Sequence, residues 1–538
     1  MRRKELIFLV FAAILSLSLL AAGCKKDKDI GEASPGDKQE MYQQDEYEDE
    51  YEDNVEESPD QEYEEDGEEY ENIYGPDSQE AMSMMLSAYQ DMKEEAASDP
   101  VRQKEVTPQK TAIEYFSSEN LDITREYADV CTISMDGRKM QYTMEIIGEP
   151  DEIGLYPLYI TLHGGGESSP QSNNGQWLEM MEYYRDSVDY GIYVAVRGME
   201  DVWNTHFLDE SYPMYDRLIE DMILLKNADP NRVYLLGFSA GSDGVFAVAP
   251  RMADRFAAVN MSSGHPNGVS LLNTSNLPVE IQVGIRDFYS EDVLRSVKCA
   301  EYEEILNGYN KTFGFGYPHR VLVHVPEGHL YTDYLDYYNE SLVLKYPAQF
   351  SSRAYAEDIP GKLLEFFASM GNDDDFNSLS YESADEIHDS MVKYITEDLG
   401  FEVEKVNTDA VAYVDQYERE PCPDSFIWDL TTRAKKRKDT AFYWLKADNS
   451  VDTGLIEADY KEESNTVYLN VMDDPNGEIM ILASPFLMDF DRPLTIVMGD
   501  EEMTVELKAD KKIIEDSLKE TGDVLLAWAD EISVSSLF

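Results

Sequence analysis

Cysteine is almost missing from this chain: it occurs four times in 538 residues, at positions 24, 131, 299 and 422. The three that come after position 24 cannot all pair with one another, so no disulfide framework holds the fold together. At most one bridge is possible, and burial as small apolar side chains is the expected fate of Cys131, Cys299 and Cys422. Positive charge is also scarce. Against 109 acidic residues stand 44 lysines and arginines, a formal charge of −65, which argues against nucleic acid or an anionic membrane surface as a partner. Aliphatic residues are nearly absent from 25 to about 78, where Asp45 to Glu71 is acidic and tyrosine-rich. Charges packed so densely repel, and too little apolar surface is present to offset the entropy of ordering the backbone. That stretch is expected to be an extended, disordered tether. Calcium or partner binding by its carboxylates, and modification of Tyr47, Tyr51 or Tyr63, have no specific signal in their favour.

Residues 1–24 read as a targeting segment. Arg2, Arg3 and Lys4 form a basic start, Ile7 to Leu20 an apolar run, and Leu20-Ala21-Ala22-Gly23-Cys24 places small residues before a cysteine. This resembles a bacterial lipoprotein signal, which implies cleavage after residue 23, lipid attachment to Cys24, and anchorage on the extracellular face of the cell membrane. Ala21 stands where leucine is usual in that family. The alternatives are an ordinary secretory signal or a transmembrane anchor, for which a span of about 20 apolar residues is needed and this run is short.

The remaining length is too great for one ordinary domain, and an apolar share of 43% is enough for real cores. The tether, residues 24–100, should end in a short helix over Ser78 to Ala97, with Met82, Met85, Tyr89 and Met92 on one stripe packed against the next domain. Residues 101–370 show strand, loop and helix in alternation. Cys131 to Met135 and Lys139 to Met144 flank Asp136-Gly137, a hairpin signal. Further apolar runs lie at 158–162, 192–196, 233–236, 257–261, 279–283 and 320–325, separated by segments long enough for crossover helices. That pattern predicts an α/β fold with a mostly parallel sheet and helices on both faces. Residues 371–435 are expected to be a helical connector. Residues 436–538, with short strands broken by Asn476-Gly477 and Gly499-Asp500, are expected to form a β-sandwich-like accessory domain without chemistry of its own.

Three segments carry chemistry, in the order of a glycine run, a candidate serine nucleophile and a candidate histidine base, with a candidate acid between the last two. His163-Gly164-Gly165-Gly166-Glu167 closes one apolar run, Gly237-Phe238-Ser239-Ala240-Gly241 another, and Pro326-Glu327-Gly328-His329 a third. Gly-x-Ser-x-Gly alone is weak evidence; after a strand, with a glycine run upstream and an acid and a histidine downstream, it is strong. Glycines at 237 and 241 leave room for a tight strand-to-helix turn, which lifts the Ser239 hydroxyl above the sheet edge. The N–H of Ala240 and that of Gly164 or Gly165 would then hold an oxyanion. Of the histidines after Ser239, His319 and His324 are tied to a strand, His265 sits where substrate contacts are common, and His388 falls outside the catalytic core. His329 lies in a loop after a strand and is the candidate base. Asp287, three residues beyond Gly284, is the candidate acid, with Asp292 as the alternative. His163 is an orienting residue; Glu167, Trp203 and Tyr212 are candidates for the substrate pocket.

Residues 125–370 resemble the α/β-hydrolase superfamily. The run Asp229-Pro230-Asn231-Arg232-Val233-Tyr234-Leu235-Leu236-Gly237-Phe238-Ser239-Ala240-Gly241 is similar to the branch holding polyhydroxybutyrate-depolymerase-like, feruloyl and acetylxylan esterases, dienelactone hydrolases and prolyl oligopeptidases. The resemblance implies a Ser-His-Asp triad, no metal and no cofactor. Ser242-Asp243-Gly244 departs from the second glycine that many relatives carry there, which touches helix packing rather than the triad. Expected substrates are carboxylic esters, among them acyl or feruloyl groups on polysaccharide. A peptidase of the prolyl oligopeptidase type is the runner-up, although no blade-length repeat precedes residue 125, and a non-catalytic binding lipoprotein is the third reading.

Overall fold

The computed structural model describes residues 74–116, 122–290, 293–329, 340–370, 381–437 and 440–534. The expected signal, lipid site Cys24 and acidic tether therefore lie outside the described residues. Tyr74–Phe538 forms one compact unit.

Its frame is an eleven-stranded sheet. In chain order the strands are β1 (Gln109–Phe116), β2 (Ile123–Met135), β3 (Arg138–Ile147), β4 (Tyr156–Leu162), β5 (Gly191–Arg197), β6 (Ala228–Phe238), β7 (Ala258–Ser262) and β8 (Val279–Gly284). A short pair, β9 (Phe288–Ser290) and β10 (Val293–Leu294), stands apart, and β11 (His319–His324), β12 (Glu340–Leu344) and β13 (Val403–Asn407) return to the large sheet. The spatial order is β1-β2-β3-β5-β4-β6-β7-β8-β11-β12-β13. From β5 through β11 every pairing is parallel, and at both ends every pairing is antiparallel. The sheet is thus mixed, rather than mostly parallel. The β2–β3 hairpin begins one antiparallel end where Asp136 and Gly137 both take positive φ, 51° and 78°, the backbone that the Asp-Gly pair predicts. The central strands β5, β7 and β8 are buried along their whole length, as strands covered on both faces must be. Each fully buried Val, Leu or Ile there contributes about 1.5–3 kcal/mol of burial.

The helix expected over Ser78 to Ala97 spans Pro76–Ser98, and it buries Met82, Met85 and Tyr89. Its first turn is tied to a distant loop: the N–H groups of Asp77 and Ser78 donate to the Asp491 carboxylate at 2.8 and 3.2 Å. Cys131, Cys299 and Cys422 are free and buried.

The segment expected as a helical connector holds helices Tyr381–Lys393 and Ala410–Val414, but also strand β13 and a strand over Ser425–Asp429. The latter opens a five-stranded sheet with Leu455–Lys461, Thr466–Asp473, Leu494–Met498 and Glu501–Val505; a four-stranded sheet joins Ala441–Phe442, Leu445–Ala447, Ile479–Ala483 and Asp530–Ser533. Rings bridge the two sheets, with Phe442 5.9 Å from both Phe426 and Trp428. A helix, Lys511–Thr521, interrupts the strands. Buried arginines connect these sheets to the α/β part. Arg437 donates to Asp216 and Asp254, and Arg419 pairs with Asp523 while donating to the Asp254 carbonyl.

Candidate active site

Ser239 stands between the end of β6 and the helix Ala240–Val248, with φ 55° and ψ −119°. A β-carbon on Gly237 would lie 2.4 Å from the Gly241 carbonyl oxygen, and one on Gly241 would lie 1.9 Å from that of Leu162. The turn is therefore possible only with glycine at both places, and the surrounding packing holds the serine in a conformation that non-glycine residues rarely adopt. The Ser239 N–H donates to the Ser262 carbonyl at 2.9 Å, fixing the turn to neighbouring β7.

Loops leaving β8 and β11 at the same sheet edge bring the other two residues in. His329 Nε2 is 3.0 Å from Ser239 Oγ, and its Nδ1 is 2.9 Å from Asp287 Oδ2. The His329 side chain is 20% exposed while Asp287 is buried, so the imidazole is open to solvent on the Ser239 side and the carboxylate backs it. The two loops are laced together: the Arg286 N–H donates to the Glu327 carbonyl at 2.9 Å and Arg286 Nε to that of Pro326 at 2.6 Å. Ser263 Oγ donates to the His329 carbonyl at 3.0 Å. The second carboxylate oxygen, Asp287 Oδ1, faces Arg295 Nη1 at 3.4 Å, and the Ser296 N–H at the start of the helix Arg295–Phe313 donates to the Asp287 carbonyl. Asp292, the alternative acid, lies outside the described residues.

The glycine run flanks the serine. A β-carbon on Gly164 would lie 3.3 Å from Ser239 Cβ, and one on Gly166 would lie 3.4 Å from Ala240 Cβ. Gly165 is exposed between two buried glycines. Behind the run His163 is fully buried; its Nε2 accepts from the Gly198 N–H at 3.0 Å, so Nδ1 carries the proton donated to the Gly164 carbonyl at 2.5 Å. Burial, then His206 and Arg197, hold its pKa well below the ordinary imidazole value. Burial likewise lowers His206 to about 4, and His206 Nε2 lies 2.8 Å from the His163 carbonyl. Both rings are neutral supports of the loop.

The other candidates separate clearly. His324 is buried, 2.9 Å from Gln282 Oε1, and burial lowers it to about 3; His319 contacts the Tyr317 carbonyl. The His265 backbone N–H donates to Asp243 Oδ1 at 2.6 Å, and its ring contacts Asn267 rather than the triad atoms. Glu167 is exposed. Trp203 is 54% exposed, with its carbonyl beside Gly166, whereas Tyr212 is buried at 4% exposure. His388, expected to lie away from the site, is 3.7 Å from Glu327, two residues before His329. Sequence reasoning passed over Asn173, which contacts Gly166, Asp201 and Arg197, which back Asn173, and Arg295, which contacts Asp287; these are tertiary contacts, and none of the four residues has a motif of its own.

No protein-family model and no curated protein matches this chain. Solved structures similar in part include a thermostable esterase, at 16% identity over 41% of this chain and 63% of that one with a TM-score of 0.29. Thermogutta terrifontis esterase 2 is 11% identical over 44% of this chain and 94% of that one, with a TM-score of 0.28. A Bacteroides ovatus protein assigned as a dipeptidyl aminopeptidase IV is 16% identical over 40% and 37%, with a TM-score of 0.29. The chemistry of this cleft is set by its own residues.

Proposed function

We propose that this protein is a serine hydrolase of α/β-hydrolase type that cleaves carboxylic esters through an acyl-enzyme. One observation carries the reading: a serine in a strained strand-to-helix turn, 3.0 Å from an imidazole whose other nitrogen faces a buried carboxylate at 2.9 Å. A serine hydroxyl is a poor nucleophile near neutral pH and needs such a base.

Ser239 Oγ attacks the ester carbonyl carbon as His329 Nε2 takes its proton. The carbonyl oxygen becomes an oxyanion held by the N–H of Ala240 and that of Gly164 or Gly165, each worth about 2.7–4 kcal/mol in the transition state. Asp287 keeps the Nδ1 proton in place and balances the imidazolium. His329 then protonates the departing alcohol. Water, deprotonated by the same nitrogen, attacks the acyl carbon and releases the acid and free Ser239. Trp203 is exposed and its backbone carbonyl lies beside Gly166; an aromatic side chain carried there would suit aryl or sugar groups, so acyl or feruloyl esters on polysaccharide are the proposed substrates. The signal-like residues before Cys24 support a lipid anchor and a place on the outer face of a bacterial membrane.

The purified protein should turn over p-nitrophenyl butyrate. Ser239→Ala should lower kcat by on the order of 10⁴–10⁶ with KM little moved, His329→Ala by about as much, and Asp287→Asn by roughly 10²–10⁴. Turnover of peptidyl but not acyl substrates would favour the peptidase reading, and full esterase activity in Ser239→Ala would remove the serine mechanism.

A further inference from the structure

We propose that Asn173, backed by Asp201 and Arg197, is the positioning residue that aims the oxyanion donors of the glycine loop; this rests on the serine-hydrolase reading above. Asn173 is fully buried in the first turn of the helix Pro170–Tyr183. Its side-chain amide meets both backbone groups of one residue: Oδ1 accepts from the Gly166 N–H at 2.9 Å, and Nδ2 donates to the Gly166 carbonyl at 2.9 Å. The second Nδ2 proton goes to Asp201 Oδ1 at 2.7 Å. Asp201 is ion-paired with Arg197 at the end of β5. Arg197 is itself pinned, donating from Nε to Asn174 Oδ1 at 3.0 Å and from Nη1 to the Gly198 carbonyl at 2.8 Å. The amide cannot be reversed, because its oxygen would then face a carbonyl and a carboxylate.

This clamp acts where the loop is weakest. Gly165 and Gly166 have φ of 98° and 100°, and glycine has the widest backbone freedom of any residue. A β-carbon on Gly165 would lie 2.2 Å from Asn173 Oδ1, so the loop is wrapped around the amide. With the Gly166 N–H taken by Asn173, the N–H groups of Gly164 and Gly165 are left for the substrate. Their orientation is set from behind, since the carbonyls of His163 and Gly164 face the rings of His206 and His163. In a trans peptide the N–H points opposite to the C=O, so both N–H groups point away from the imidazoles. Asn173 closes the third side and stops the two glycines from turning those donors aside.

Oxyanion bonds strengthen as charge develops, so loosening the clamp should lower kcat and leave KM nearly unchanged. Asn173→Ala should reduce kcat roughly 10- to 100-fold, below or near the loss of one whole donor. Phenylboronic acid, which takes Ser239 Oγ onto boron to form a tetrahedral anion, should lose affinity in step with kcat/KM. Asp201→Ala, at a side chain 28% exposed and so tolerant of truncation, should act in the same direction by about 10-fold, whereas Asp201→Asn still accepts from Nδ2 and should stay within about 3-fold of wild type. A purely structural role would lower Tm without moving boronate affinity relative to KM. Wild-type kcat and boronate affinity in both alanine variants, or a loss confined to KM, would overturn the positioning role. A wild type that neither hydrolyses esters nor binds boronate would overturn the hydrolase reading beneath it.

Discussion

Replacing Arg437 with methionine tests how far the C-terminal sheets are part of the catalytic fold. The Arg437 guanidinium is buried and lies 2.9 Å from Asp216 and 3.1 Å from Asp254, carboxylates that are themselves 5% and 2% exposed. Methionine keeps most of the volume, so the change removes charge and hydrogen bonds rather than opening a cavity. Breaking a buried pair by deleting one partner costs about 3–5 kcal/mol. Protonation of one stranded acid limits the cost, since carrying a carboxyl of ordinary pKa 3.9 to neutral form at pH 7 takes roughly 4 kcal/mol. Arg255 Nε, 3.6 Å from Asp216, offsets part of it. For a unit of about 460 residues the unfolding entropy is about 1 kcal/mol per kelvin, so Tm should fall by about 3–4 °C at neutral pH. The pH dependence has a definite sign. In the variant the stranded acid has a folded pKa above its unfolded value, so the deficit is absent below about pH 4, grows with pH above that and is full only above the raised folded value; on acidification it shrinks, to roughly 1.5 kcal/mol at pH 5. Calorimetry at pH 7 and pH 5, with Arg437→Met/Asp216→Asn/Asp254→Asn as the partial rescue, measures each quantity. An unchanged Tm at pH 7, or a deficit that grows in acid, would refute the reasoning.

Acid stability should depend on the buried histidines: His206 and His324 have folded values of about 4 and 3, so protonation of the unfolded chain below about pH 6.5 should cost on the order of 2 kcal/mol each by pH 5. His324→Gln should flatten the fall in Tm between pH 7 and 5, and an unaltered slope would contradict this. Gly241→Ala should yield little folded, active protein, because its β-carbon would meet the Leu162 carbonyl oxygen at 1.9 Å; a soluble variant with wild-type Tm and activity would show the turn to be looser than drawn. Deleting residues 25–73 should leave Tm and ester turnover nearly unchanged, since the helix cap at Asp77 and Ser78 is retained; a drop of many degrees in Tm would show that the acidic segment is packed. Labelling with a radioactive fatty acid should mark the wild type and not Cys24→Ala, and equal labelling would remove the lipid anchor.

The parts of the fold that local chemistry dictates were legible in the sequence. Asp136-Gly137 sets its own turn, and the apolar runs ending at Leu162, Phe238 and Gly284 are strands because both faces are covered. Loops after parallel strands emerge at one edge, and for that reason Ser239, Asp287 and His329 could be singled out as a group before their distances were known. Beyond the hairpin at Asp136-Gly137, the antiparallel ends of the sheet, β1 on one side and β12 with β13 on the other, were not legible. Strand β13 pairs with β12 across about sixty residues of intervening chain, and Val403 to Asn407 is too short and too charged to announce a strand. Asn173 and Asp201 were invisible for the same reason: an asparagine in a helix's first turn reads as a capping residue, and only the fold shows that it grips Gly166.

The scarcity of positive charge has a structural counterpart. In a chain with more than twice as many acids as bases, arginines are drawn inward to the helix Ser211–Lys226, where Asp216, Glu220 and Asp221 are buried. Arg102 reaches Glu220 and Asp221 from the N-terminal side, Arg255 and Arg437 meet Asp216, and Arg217 on the helix itself pairs with Glu105. Even so, burial raises Asp221 to about 7 against the pull of Arg217 and Arg102, so the helix is not overcompensated. A buried acid without a cation would either stay protonated or disrupt the packing. Segments from before β1, after the nucleophile helix and from the C-terminal sheets therefore have to meet on one helix, and its charges bind them into a single unit.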